Sequence, residues 1–143
     1  MDLNTKYLNE IANQIILVAS LLGGFSIAIV ANLLTDKTEN KITNRIFKTT
    51  TMAAGCFLVS VFAMTKIVMI TTTGYPNKIS PVTLELSNQI GSITFLLGII
   101  FLCIVIGLSG WTKSKKIGLF TTITGIVTFL LILLTLIDIQ INY

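Results

Sequence analysis

Residues 118–138 read GLFTTITGIVTFLLILLTLID, an apolar run with one stripe of a different character. Gly118, Thr121, Gly125, Thr128 and Thr135 recur at three- and four-residue steps, with Ile132 filling the gap. On a helix they share one face, and Asp138 ends it. A helix that is apolar all round, with a small and hydroxylated seam, suits a membrane bundle and not a soluble core. Lipid offers little hydrophobic drive for helix association, so close backbone approach at small residues takes its place.

The rest of the chain has the same character. Its 143 residues are 53% hydrophobic and 11% charged, with a mean hydropathy of +0.88. A soluble domain carries about 25% charged residues. The apolar residues fall into spans of about 11–34, 47–72, 84–108 and 117–139. As a helix the first rises roughly 36 Å, enough to cross the hydrocarbon with some tilt. It reads as an uncleaved span, because a signal peptide would be shorter and more basic at its start, where only Lys6 stands against Asp2 and Glu10. Gly74, Pro76, Asn77 and Pro81 interrupt the chain between the second and third spans. The expected fold is all-α: a polytopic membrane protein, a compact bundle of four transmembrane helices forming a single domain over 1–143.

Charge gives the expected orientation. Lys37, Lys41, Arg45, Lys48, Lys113, Lys115 and Lys116 lie in the 35–48 and 109–116 connectors, which four spans place on one side. Lys6 and Lys78 lie on the other, with Lys66 near that end of its span. The positive-inside rule puts the basic connectors in the cytoplasm of a cell membrane and both termini outside. Lys41, Arg45, Lys48, Lys113, Lys115 and Lys116 are thereby candidates for docking anionic lipid or a protein partner. Nucleic acid is not expected, because these residues adjoin the bilayer in short segments. Trp111 suits the membrane interface.

Two further small-residue faces stand out. Ser87, Gly91, Thr94 and Gly98 line one side of the third span and match the Gly118–Thr128 stripe in spacing. A short turn joins these two spans, so the two faces are expected to pack antiparallel. In the first span Ser20, Gly24, Ala28 and Asn32 step by four, as in close right-handed crossings, with Ala19, Gly23 and Ala31 beside them. Such rows serve either packing within one protomer or a subunit interface and pore lining.

Lys66 lies inside an apolar run among Val59, Phe62, Ala63, Met69 and Ile70. Its side chain either snorkels to the interface or finds a partner, since a charge in a span is costly unless paired or hydrated. Glu10, Glu85 and Asp138 lie at the same membrane face, and a cluster of Lys66 with Glu85 or Asp138 is expected. Asn13, Gln14, Asn88 and Gln89 make this the more polar rim.

No histidine is present, and Cys56 and Cys103 both fall in the middle of spans, as packing residues do. No metal-ligand cluster, nucleophile–base arrangement or phosphate loop appears. Neither enzymatic activity nor a cofactor is expected.

Residues 21–36 (LLGGFSIAIVANLLTD) resemble the pore helix of the Orai calcium channels, which are also four-span proteins. The resemblance places Asn32 where that family has its selectivity glutamate, and Asp36 near its outer acids. It covers one helix. Leu17 and Asn13 stand where that family carries basic pore residues, and its termini are cytoplasmic, opposite to the orientation above. No function is carried over from it. The expected function is a small homo-oligomeric pore or membrane effector; the alternative is an accessory or sensor subunit docking to a larger partner through its basic loops.

Overall fold

The computed structural model describes residues 3–35, 40–72 and 81–141, with side chains over 5–35, 40–72 and 83–135. The chain forms α1 (Leu3–Thr35), α2 (Lys41–Thr71), α3 (Pro81–Ser109) and α4 (Lys115–Ile141), with a 3₁₀ turn at Gly110–Thr112 before the last. Among the described residues there is no strand. Each of the four helices is long and apolar enough to cross a membrane.

The helices outrun the apolar spans because their polar flanks also favour helix. Asn40 caps α2: its side chain accepts from the Ile42 N–H at 3.3 Å, and its carbonyl accepts from the Asn44 N–H at 3.0 Å. Pro81 opens α3, where a missing N–H costs nothing. Lys41, Arg45 and Lys48, expected in a connector, therefore occupy the first turns of α2.

α2 is the centre of the molecule, packed on one side by α1 and on the other by α3. Its Phe57, Met64 and Ile67 are almost completely buried. Met64 and Ile67 pack with Ala12 of α1, with Leu84 of α3 beside them. Phe57 packs with Ala53 and with Ala19 of α1, flanked by Phe95, Ile99 and Leu102 of α3. The Phe57 and Phe95 rings meet edge to face, their centroids 6.1 Å apart.

The expectation of a compact bundle needs one correction. α4 packs against α3 and the 3₁₀ turn, and has at most marginal contact with α1 or α2. The helices thus form an open row in chain order. The cause is visible in α4 itself. Its small residues occupy one narrow face, while Leu119, Phe120, Ile123, Val127, Leu131 and Leu134 are exposed around the remainder. Large apolar side chains of this kind are as well placed against lipid as against a second helix.

Candidate functional site

Three helix faces and one groove carry the residues singled out in the sequence. The first face is the α2–α3 seam. Gly91 and Gly98 are buried there, against α2 and not against α4 as the matching spacing suggested, and Ser87 is buried on the same helix with its hydroxyl donating to the Thr83 carbonyl at 2.9 Å. A Cβ at Gly91 would lie 2.6 Å from Met64 Cε, and one at Gly98 would lie 2.7 Å from the Phe57 ring. Ser60 Oγ donates to the Gly91 carbonyl at 2.9 Å across this seam. Thr94 is half-buried and turns its hydroxyl back to the Ile90 carbonyl at 2.7 Å. The pairing follows from shape: the large side chains of α2 fill notches that the α3 glycines leave. Ser60→Ala is expected to destabilise the fold by about 0.6 kcal/mol, the usual worth of an interhelical hydrogen bond in a membrane protein. The midpoint of denaturant unfolding in detergent micelles reads this change.

The second face joins α3 to α4. Gly118 is covered by the Trp111 ring, and a Cβ at Gly125 would lie 2.9 Å from the Cys103 carbonyl oxygen. The Gly107 carbonyl accepts from Thr121 Oγ1 at 3.1 Å and from Thr122 Oγ1 at 3.2 Å. Trp111 Nε1 donates to Thr122 Oγ1 at 3.0 Å, which pins the indole across the hairpin mouth. Thr128 continues the seam, half-buried.

The third face belongs to α1. Ala12, Ala19, Gly23 and Ser26 make its contact with α2. Ser20, Gly24, Ala28 and Asn32 point away from that contact and are exposed; a Cβ at Gly24 would meet nothing within 4 Å. The two small rows that the sequence placed side by side thus divide: Ala19 and Gly23 are packed within the protomer, whereas Ala31 and the whole Ser20–Asn32 row are open.

The charged residues also have a register. Lys41, Arg45, Lys48, Met52, Gly55, Val59, Phe62, Lys66 and Met69 follow one another along the exposed face of α2. Lys66 and Glu85 are both exposed, and among the described residues no ion pair joins Lys66 to Glu85 or Glu10. The side chain of Asp138 lies outside the described residues, and so does its expected place beside Lys66. The polar tie that does form at this rim involves Asn9: its Nδ2 donates to Thr71 Oγ1 at 2.6 Å, linking the start of α1 to the end of α2. Asn13 Nδ2 in turn donates to Asn9 Oδ1 at 2.9 Å. Asn9 is not evident in the sequence, because it sits in a polar flank outside the apolar span. Only a continued helix brings it level with Thr71.

A groove of about 420 Å³ runs between α3 and α4. Ile100, Ile104 and Leu108 form one wall, and Ile126, Phe129 and Leu130 the other. Cys103, Gly107, Thr122 and Gly125 line its floor. Lys113, Lys115 and Lys116 are exposed beyond its turn end. Cys56 and Cys103 are free thiols. Among the described residues no three metal-binding side chains come together. No known protein family matches the chain, and no curated protein or solved structure is significantly similar to it.

Proposed function

We propose that this is a non-enzymatic integral membrane protein that assembles with copies of itself into a small pore or pore-like effector. One observation carries this reading: the Ser20–Gly24–Ala28–Asn32 row is left open on the outward face of α1. The glycines at 23, 91, 98, 118 and 125 are each met by a neighbouring helix or turn; Gly55 is open like Gly24, but it stands among Met52, Val59 and Phe62 and not in a row of small residues. A row of the same kind facing outward is complementary to a second copy, because small residues let two backbones approach where large ones hold them apart.

In this reading α1 lines the seam between subunits. Ser20 and Asn32, with Asn13 toward the other end, give the strip a polar content that lipid does not favour and that water or an ion does. The basic connectors face the cytoplasm and both termini face outward. Conduction follows when neighbouring α1 faces separate enough to hydrate. α4, held by one seam, takes no part in the contact.

The test is the mass of the purified protein in detergent, followed by solute flux from liposomes. The wild type is expected as a defined homo-oligomer with measurable flux. Gly24→Leu is expected to run as a monomer of unchanged helical content, with flux reduced at least ten-fold, on the order of the 1.4 kcal/mol per decade that relates contact energy to population. A wild-type monomer would sink the pore reading. The alternative would then be favoured, an accessory subunit that docks a larger partner. What supports that alternative is the exposed alignment of Lys41, Arg45 and Lys48 on one face of α2.

A further inference from the structure

The groove between α3 and α4 is bounded on two sides only, because α4 has no second helix beside it. Its walls are the aliphatic and aromatic side chains described above, and its long opening is turned outward. The groove extends from Ile100 to Leu108, roughly 12 Å along α3. A trough lined by aliphatic and aromatic side chains matches the chemistry of a lipid acyl chain.

Charge identifies what is attached to that chain. The groove ends near the turn at Leu108 and Thr122. Lys115 stands seven residues before Thr122, on the same face of α4 and roughly 10 Å nearer the aqueous side. That rise carries it from the hydrocarbon into the headgroup layer, which adds roughly 5–7 Å on each side of the bilayer. Lys113 and Lys116 flank it, all three are exposed, and the hairpin from Leu86 to Ile137 contains no aspartate or glutamate to neutralise them. Trp111, fixed between groove and lysines by its bond to Thr122, marks the interface level.

We infer that the α3–α4 groove is a binding site for an anionic phospholipid, with one acyl chain between Ile104 and Ile126 and the phosphate at Lys115. Lys113 and Lys116 add to the attraction. Apolar burial holds the chain and would act on any phospholipid; the lysines select those with net negative charge. This inference rests on the membrane reading alone and not on self-assembly, so a monomeric Gly24→Leu protein keeps the site.

Trp111 is the only tryptophan in the chain and sits at the mouth of the groove, which makes it the reporter. The full chain is reconstituted in phosphatidylcholine vesicles doped with chain-brominated phosphatidylglycerol or with chain-brominated phosphatidylcholine. The brominated anionic lipid is expected to quench Trp111 at about five-fold lower mole fraction, the scale of one lysine at a charged surface. Lys115→Gln is expected to bring the ratio close to one, and Lys115→Arg to keep it. Filling the groove with Ile104→Phe and Ile126→Phe, both at exposed positions, is expected to remove the preference with the lysines intact. Equal quenching by the two lipids in the wild type would overturn the site. So would a preference that survives in the filled variant, since lysines alone would then attract the anion. Helical content by circular dichroism checks that each variant is folded.

Discussion

Phe57→Ala is expected to lower the unfolding free energy in detergent micelles by about 3–5 kcal/mol, the largest effect of any single truncation in this protein. Phe57 is 0% exposed and stands where both neighbouring helices thin to glycine. A Cβ at Gly23 of α1 would lie 3.3 Å from the Phe57 Cβ, and one at Gly98 of α3 would lie 2.7 Å from its ring. Removing the ring leaves a void that Gly98 cannot fill, whereas the Cβ facing Gly23 is kept, so the lost contact falls mainly on the α2–α3 seam. Leu58→Ala, one residue away but 48% exposed, is expected to change stability by no more than about 0.5 kcal/mol. Denaturant titration followed by circular dichroism compares the two. Gly98→Leu should destabilise the wild type and restore part of the loss in Phe57→Ala; simple additivity would mean that the two positions do not share a cavity.

Gly125→Leu is expected to cost about 3 kcal/mol, at the upper end for overpacking. What a side chain at Gly125 meets is the Cys103 carbonyl oxygen at 2.9 Å, and backbone cannot rotate aside as a side chain can. The loss is local, because α4 has no other seam: α1–α3 should keep their packing while the hairpin opens. Two readouts separate these parts. Trp111 emission should shift as the indole loses Gly118 and Thr122, whereas the unfolding midpoint of the α1–α3 unit should be nearly that of the wild type. A single cooperative loss of all four helices would show that α4 supports the others, contrary to the open row.

Much of this architecture is legible in the sequence, for a definite reason. Hydrocarbon demands long apolar helices, so hydropathy alone places four of them. The small-residue stripes are legible too, because helical periodicity puts them on faces. Which stripe meets which face is not. Ser87–Gly98 and Gly118–Thr128 share a seven-residue rhythm, and rhythm alone pairs them. The decision belongs to the large residues opposite. Phe57 and Met64 are seven apart on α2, and Gly98 and Gly91 are seven apart on α3 in the reverse direction, so each bulk meets one notch. On α4 the partners are instead Gly107, Gly110 and the Cys103 carbonyl near the turn. The basic residues divide in the same way: counting gives an expected side of the membrane, whereas their alignment on one face of α2 depends on a helix that starts at Lys41.

The row of helices in chain order also bears on how the protein is made. As the ribosome delivers the helices one after another, α2 finds α1 already made, α3 finds α2, and α4 finds α3. None must remain exposed until a much later segment emerges, which is the interval in which unfinished membrane proteins aggregate or are degraded. Closing α4 onto α1 would have added such a delay. Here each newly made helix completes a seam with the one just before it, and the row can form at the pace of translation.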